Sequence, residues 1–266
     1  MALMVLAGSK RTHANQIALQ FVTKQFPPYA FVGPAGQATG PMVDVLFAAC
    51  AKANVQCSVR VVPWRRALRL VETNEVDGIF PIVDSSRRRA DFELSPEVVH
   101  GRYVLLGLSC RDDCVNPRQL ATRTVAVHGP SEASRILQDL LKAIPGAQAQ
   151  IEPDHEVVMR KLLAGRYGEN GLALVNDAVA RRQMTSANPP LVHTVSVVRN
   201  VYYAYAFARQ PSKDDAKFRV FKAIDDLCRS GETARIFKPY DLLAAHCRLK
   251  TTPKPGSRLR QRKELP

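Results

Sequence analysis

The 266-residue chain lacks the motifs that mark the common enzyme classes. It contains no glycine-rich phosphate loop (GxxxxGK[ST]), no GxGxxG fingerprint, no GxSxG nucleophile elbow and no HExxH zinc motif. It has no CxxC pair, and no spacing of cysteine and histidine fits a zinc site. Its six histidines are scattered without an i, i+4 pair, which is typical of surface or hydrogen-bonded core histidines. No motif therefore indicates catalysis, a metal site or a cofactor, and we expect the protein to have no catalytic activity, metal or cofactor.

Long apolar runs are also missing. No stretch approaches the roughly 20 consecutive apolar residues that a helix needs to cross a bilayer. With 46% hydrophobic and 23% charged residues, the composition is that of a globular protein. A chain of this length can bury a sizeable core and can form two compact units.

Acidic residues are in deficit, since 24 Asp and Glu face 38 Lys and Arg for a formal net charge of +14. Much of the excess lies in residues 248–266, where seven Lys or Arg face one Glu and four residues are Pro or Gly. This segment is interpreted as a disordered basic tail. Contact of the tail with an anionic membrane or nucleic acid is the alternative. The rest of the chain gives no reason to expect a nucleic-acid partner.

The six cysteines lie in local pairs along the sequence. The candidate pairs are Cys50 with Cys57, Cys110 with Cys114, and Cys228 with Cys247. Six cysteines allow 15 pairings, so the sequence cannot choose among them. An even count in local pairs favours disulfides and hence an oxidising compartment, with buried free thiols as the alternative.

The N-terminus has some features of a secretory signal. "ALMVLAG" followed by "THA" resembles a short apolar core and a cleavage site before Asn15, although no basic residue precedes it. Residues 1–14 are therefore interpreted as the remnant of a signal peptide. A disordered lead on a cytoplasmic protein is the alternative.

Strand-like and helix-like patterns alternate along the chain. Apolar runs predict strands at 17–22, 59–62, 78–83, 103–108, 124–128, 171–175 and 201–208. Helical spacing of apolar residues predicts helices at 43–50, 64–74, 131–141, 157–163 and 218–227. This order is typical of an α/β protein with parallel sheets covered by helices. No repeat and no long linker is present, so two lobes would have to be interwoven.

Polar side chains follow three of the predicted strands, in "VDSSRRR", "VHGPS" and "VND". Ligands of parallel α/β sheets bind beyond the carboxyl ends of the strands. An arginine in 87–89 could hold a carboxylate through two parallel N–H bonds, and the helix start at Ser131 suits an anion. Asp177 could pair with an ammonium group. Each feature alone is also typical of a helix cap or a solvated face, but together they predict a site for a small zwitterion or anion.

Seven segments in order resemble the solute-binding protein family 3, the bacterial extracellular receptors for polar amino acids that serve ABC importers. They are "FPPYAF", "GQATGPMVDVL", "PWRRALRLVETNEVDGIFP", "SSRRRADFELS", "TVAVHGPS", "LALVNDAV" and "AIDDLCRSGETARIFKPY". The resemblance covers residues 17–247. It implies a type II periplasmic-binding fold, in which two hinge strands join two lobes with mainly parallel sheets. Lobe one would comprise residues 15–106 and 199–247, and lobe two residues 107–198.

The resemblance also implies a function. A monomeric periplasmic protein would capture a small polar solute, an amino acid or another carboxylate-bearing compound, and deliver it to the membrane subunits of an ABC importer. An enzyme that resembles cyclohexadienyl dehydratase and a sensor or accessory binding protein are the alternatives.

Carried over residue by residue, the resemblance places ligand-binding positions on both lobes. They are Phe26, Tyr29, Trp64, Arg66, Val83 and Arg88 on lobe one, and Gly129, Ser131 and Asp177 on lobe two. Arg88 falls on the family's carboxylate-binding arginine, although a one-residue shift would give that role to Arg87 or Arg89. Asp177 falls on the amine-binding aspartate.

The chain departs from the family pattern at "FPIV". Pro81 and Val83 replace a glycine and a hydroxyl partner of the ligand amine, and "PWRRAL" adds Arg65 and Arg66 beside the aromatic position. These changes argue against a standard α-amino acid and leave room for an anionic solute.

Overall fold

The fold is seen in a computed structural model, which describes residues 18–108, 120–184, 192–210 and 213–246. The proposed signal remnant (1–14) and basic tail (248–266) lie outside the described residues. So do Cys110, Cys114 and Cys247.

Strands and helices alternate as the sequence predicted. Strands β1 to β12 span Ala18–Thr23, Phe31–Val32, Ala38–Thr39, Gln56–Val61, Gly78–Val83, Glu93–Leu94, Val99–Gly107, Thr124–His128, Gln148–Glu152, Leu172–Asn176, His193–Phe207 and Leu243–Ala244. Helices α1 to α8 span Pro41–Lys52, Trp64–Glu72, Ser86–Asp91, Glu132–Lys142, His155–Leu163, Asp177–Met184, Asp214–Arg229 and Glu232–Phe237. A 3-10 helix (Lys238–Tyr240) follows α8. Among the described helices, none is both long and apolar enough to cross a membrane.

Two groups of parallel strands lie at opposite ends of one ten-stranded sheet, whose main path is β4-β1-β5-β11-β7-β10-β8-β9. Strands β4, β1 and β5 are parallel, and so are β10, β8 and β9. We call β4, β1 and β5 with their covering helices the first lobe, and β10, β8 and β9 with theirs the second lobe. Between them, β7 and β11 pair antiparallel with each other. Strands β7 and β11 therefore connect the two groups of parallel strands.

The apolar pattern of the central strands follows from helices that cover both faces of each lobe. Every residue of β10 is buried, and so is every residue of β5 except the last. A strand that is covered on both faces reads as a continuous apolar run rather than an alternation. That is why the apolar runs at 78–83 and 171–175 were recognisable as strands.

A disulfide joins α1 to β4 in the first lobe. Cys50 and Cys57 form it, with their Cα atoms 6.2 Å apart, so this predicted pairing is confirmed. Cys228 on α7 is also disulfide-bonded, and its predicted partner lies outside the described residues.

Candidate functional site

A cleft between the two lobes is lined by the carboxyl ends of strands and the starts of helices. Its inner part has a volume of about 40 Å³ and is lined by Lys24, Phe26, Trp64, Pro81, Ile82, Val83, Arg88, Tyr103, Ser131, Glu132, His155 and Tyr203. Its outer part has a volume of about 470 Å³ and is lined by Lys24, Gln25, Val61, Val62, Pro63, Trp64, His128, Pro153, Asp154 and His155. Three residues, Lys24, Trp64 and His155, line both parts. We call the two parts together the interlobe cleft.

Lys24 reaches across the cleft from the residue after β1. Its Nζ lies 3.3 Å from His155 Nε2 at the start of α5 in the second lobe. The same Nζ is 4.4 Å from the centre of the Phe26 ring and 5.2 Å from that of Trp64. When Lys24 is charged, its ammonium donates and Nε2 accepts, so the neutral ring of His155 carries its proton on Nδ1.

The two histidines of the cleft are buried beside this lysine. The rings of His128 and His155 are 4.6 Å apart, and the residues are 2% and 8% exposed. Neither nitrogen of His128 forms a hydrogen bond of ordinary length and angle, nor does His155 Nδ1. The backbone groups of Glu152 and Pro153 lie close enough to His128 to offset part of the fall in its pKa. Burial, with the nearby Lys24 charge, lowers the pKa of His128 to about 3, and the same causes hold the pKa of His155 well below its usual value. Both rings are therefore neutral at pH 7.

Burial acts on the lysine as well. It lowers the pKa of Lys24 to about 7, and attraction to the Asp154 carboxylate offsets only part of that effect. No carboxylate of the described residues lies within salt-bridge distance of Lys24. The cleft thus holds an ammonium group that is easily discharged.

Buried aromatic rings form the floor of the cleft. Phe26 stacks on Tyr29 with ring centres 4.9 Å apart, and the Phe26 ring is also 5.0 Å from that of His155. The Tyr29 hydroxyl donates to Asn176 Oδ1 at 3.0 Å, and Asn176 Nδ2 donates to the Tyr203 hydroxyl at 3.1 Å. Because these polar groups hydrogen-bond to one another, they hold the floor in one arrangement and leave few hydrogen-bonding groups for a ligand.

Arg88 is the arginine of the "RRR" run that lines the cleft. Arg87 is exposed and lies 4.0 Å from Asp91, while Arg89 Nε donates to Asp84 Oδ1 at 2.6 Å. The Arg88 guanidinium is half-buried, 5.9 Å from the centre of the Phe92 ring, and pairs with no carboxylate of the described residues. Burial and the neighbouring Arg87 lower its pKa, but an arginine stays protonated at neutral pH.

Helix α4 begins at the cleft with the predicted Ser131 as its N-cap. Ser131 Oγ accepts from Ser134 N at 3.1 Å, and Ser134 Oγ accepts from Ser131 N at 3.0 Å, so the two serines form a capping box. Glu132 follows and lines the inner part, where its carboxylate lies 3.6 Å from Arg135 Nη1. The positive end of the helix dipole faces the cleft here.

Of the predicted site residues, five line the interlobe cleft. These are Phe26, Trp64, Val83, Arg88 and Ser131. Tyr29 is fully buried beneath Phe26, and Arg66 is exposed outside the lining. Gly129 is buried next to the lining, and a Cβ there would come within 2.7 Å of Ile151 Cγ2.

Asp177 lies at a different place from the other predicted site residues. Its Oδ2 accepts from Arg102 Nε at 2.9 Å and from Arg181 Nη1 at 3.0 Å. It lines a separate hollow of about 240 Å³ beside β7, with Arg102, Arg181 and Asp241. Burial alone would raise the pKa of Asp177, but hydrogen bonds from both arginines hold it below its usual value. The structure does not bring this carboxylate together with Arg88.

Sequence reasoning missed the three basic groups at the centre of the cleft. Lys24 follows β1, His128 ends β8 and His155 begins α5. Two of these positions are carboxyl ends of parallel strands, where ligands of α/β proteins bind, so that rule could have found Lys24 and His128. His128 and His155 are both core histidines, and His155 is hydrogen-bonded through Nε2, which agrees with the interpretation from the sequence. The sequence did not indicate that both rings lie in the cleft.

Residues 19–242 match the model of the bacterial extracellular solute-binding proteins, family 3. The chain belongs to this family. No curated protein matches it in sequence. The resemblance seen in the sequence segments is thereby confirmed.

Solved structures support the fold. A histidine kinase sensor domain with similarity to periplasmic binding proteins has a TM-score of 0.73 at 17% identity, over 87% of this chain and 98% of that chain. The arginine-, lysine-, histidine-binding protein ArtJ from Geobacillus stearothermophilus has a TM-score of 0.71 at 18% identity, over 85% and 95%. AncCDT-1, an ancestral amino acid-binding protein and precursor of cyclohexadienyl dehydratase, has a TM-score of 0.68 at 15% identity, over 84% and 94%. At these identities the likeness concerns the fold, which is the two-lobed type II periplasmic-binding fold.

Proposed function

We propose that this family member is a periplasmic receptor that captures a small polar solute in the interlobe cleft and delivers it to the membrane subunits of an ABC importer. It acts as a monomer and without catalysis. Membership of an extracellular solute-binding family supports the proposal. So does a cleft whose polar lining comes from both lobes.

The observation that carries the proposal is the contact between Lys24 and His155. These side chains are 131 positions apart in sequence and meet at 3.3 Å across the cleft. A solute that contacts both side chains contacts both lobes at once, so its binding free energy favours the enclosed arrangement. The proposed lobes are residues 15–106 with 199–247, and 107–198. Both boundaries fall within β7 and β11, which would serve as the hinge.

The described acids give little support to an enzyme on this scaffold. A general acid would have to reach the reacting atom of a bound substrate. Glu132 lines the cleft but lies close to Arg135, and Asp177 is held by two arginines outside the cleft. A binding function needs no such group.

A thermal-shift screen with amino acids, dicarboxylates and polyamines tests the proposal. One class should raise the melting temperature with increasing concentration, because a ligand at 100 times its Kd stabilises the folded state by about 2.7 kcal/mol. The double variant Trp64→Ala/Arg88→Ala should fold, as judged by circular dichroism, and lose the shift. If no class stabilises the wild-type protein at millimolar concentration, solute capture is refuted.

The effect on an importer distinguishes a receptor that delivers solute from a sensor or accessory protein. The loaded protein should stimulate ATP hydrolysis by the importer membrane complex in proteoliposomes. A loaded protein that leaves the ATPase rate unchanged would favour the sensor or accessory role.

A further inference from the structure

We propose that the solute is a small dicarboxylate without an ammonium group, held at one end by Lys24, His128, His155 and Trp64 and at the other by Arg88. The inference rests on the proposed binding function and names the chemical class of the solute.

Buried nitrogens without a hydrogen-bond partner of ordinary length are concentrated in the cleft. His128 and His155 are each more than nine-tenths buried, yet neither nitrogen of His128 nor Nδ1 of His155 has such a partner. Because both rings are neutral, His128 offers one N–H donor and one acceptor nitrogen, and His155 Nδ1 is a donor. Trp64 Nε1 is a third buried donor with no partner, and it lies on the opposite lobe. A buried polar group without a partner is costly to the folded protein unless a ligand satisfies it. An indole N–H can only donate, so the ligand must accept.

The two cations of the cleft are also unpaired. Lys24 lies where the inner and outer parts meet, and Arg88 lines the inner part. Neither has a carboxylate of the described residues within salt-bridge distance. A half-buried guanidinium and a buried ammonium group favour two separate anionic groups on one ligand.

The acidic groups of the cleft are already engaged, which argues against an amino acid. Asp154 Oδ1 accepts from Val157 N at 2.7 Å as the N-cap of α5. Glu132 lies in the first turn of α4 with Arg135 nearby. Asp177, the predicted amine partner, is bound by Arg102 and Arg181 outside the cleft. A ligand ammonium group would find no free carboxylate among them.

The apolar end of β5 points to the same class of ligand. Pro81, Ile82 and Val83 line the inner part beside Arg88. The side chains of proline, isoleucine and valine carry no polar atom, so they offer an ammonium group no acceptor. They fit the methylene groups that separate two carboxylates.

Isothermal titration with a set of small carboxylates tests the inference. Among the four-carbon probes, succinate carries two carboxylates, aspartate adds one ammonium group to the same skeleton, and butyrate lacks one carboxylate. Malonate, glutarate and adipate cover other lengths, with glutamate as the amino counterpart of glutarate. At least one dicarboxylate should bind at least tenfold more tightly than its amino and monocarboxylate counterparts. The monocarboxylate loses a charge-assisted hydrogen bond, which contributes roughly ten- to a hundredfold in affinity. The amino counterpart keeps both carboxylates but must bury an ammonium group without a carboxylate partner.

Matched variants assign the binding to the proposed groups. Lys24→Met should weaken binding of the preferred dicarboxylate at least tenfold, because it keeps an unbranched side chain and removes the charge. His128→Gln, which replaces the imidazole ring with a neutral amide, gives a second test. Lys142→Met makes the same substitution at an exposed lysine of α4 and should leave affinity unchanged. The melting temperature of each unliganded variant reports whether it folds.

The outcomes separate the two proposals. If an amino acid or polyamine binds more tightly than every dicarboxylate that lacks an ammonium group, the dicarboxylate inference fails and the proposal of solute capture stands. Retained affinity in folded Lys24→Met and His128→Gln also overturns the inference. If no probe and no member of the wider screen binds, both proposals fail.

Discussion

Affinity for the preferred dicarboxylate should fall as the pH rises above 7, because Lys24 must be charged to hold it. Burial lowers the pKa of this lysine to about 7 in the ligand-free protein. A carboxylate beside the ammonium group favours the charged form and raises that pKa in the complex. Well below pH 7 the lysine is charged in both states, so affinity approaches its full value there.

The magnitude follows from this linkage. Above pH 7 the free protein loses a proton that the complex retains, so affinity falls on the order of tenfold per pH unit until the pKa of the complex is reached. The two histidines that face Lys24 do not change charge in this range. His128 and His155 stay neutral because burial lowers the pKa of each far below 7. The carboxylate of Asp154 is the other charged group near Lys24.

Titration calorimetry at pH 6.5, 7.5 and 8.5, in two buffers of different ionisation enthalpy, measures affinity and proton uptake together. We expect little uptake at pH 6.5 and nearly one proton at pH 8.5. Lys24→Met should abolish both the uptake and the pH slope. An affinity that is flat from pH 6.5 to 8.5, or a slope that persists in Lys24→Met, would refute the assignment of the charge to Lys24.

Three further results are expected. Arg88→Ala should weaken binding roughly ten- to a hundredfold in calorimetry. Arg87→Ala, on the exposed side of α3, should leave affinity unchanged, and equal losses in the two variants would refute the choice of Arg88. Asp177→Asn should leave affinity unchanged and lower the melting temperature, because it weakens the pairs with Arg102 and Arg181; a tenfold loss of affinity would return Asp177 to the binding site. The double variant Cys50→Ala/Cys57→Ala removes the disulfide that closes a short loop, so it should lower the free energy of unfolding by about 2 to 3 kcal/mol in urea melts. An unchanged urea midpoint of unfolding would contradict a stabilising role of this disulfide.

Local sequence patterns were enough to predict most of the fold. "GIFPIV" and "LALVN" are continuous apolar runs because helices cover both faces of their strands. Ser131 was recognisable as a helix start because a serine side chain at this position satisfies free backbone N–H groups. These features depend on residues that are neighbours in the chain.

The centre of the cleft could not be predicted in the same way. Lys24 and His155 are 131 positions apart, and only the approach of the two lobes buries them and lowers their pKa values. The position of Lys24 at the carboxyl end of a strand could have suggested a ligand site, but neither local sequence indicates that the two side chains meet. Asp177 shows the converse, since its family position predicted an amine ligand while Arg102, 75 positions away on β7, engages its carboxylate. Long-range partners decide both cases.

The indole N–H of Trp64 offers the most direct test of the account. The chain contains one tryptophan, so a ¹⁵N-labelled sample gives a single indole signal, and its assignment is unambiguous. Nε1 lies buried in the lining of the cleft without a partner. Titration with the tightest-binding dicarboxylate should move this signal downfield in step with the calorimetric binding curve, as the N–H donates to a carboxylate. An indole signal that stays in place while calorimetry shows saturation would contradict binding in the interlobe cleft.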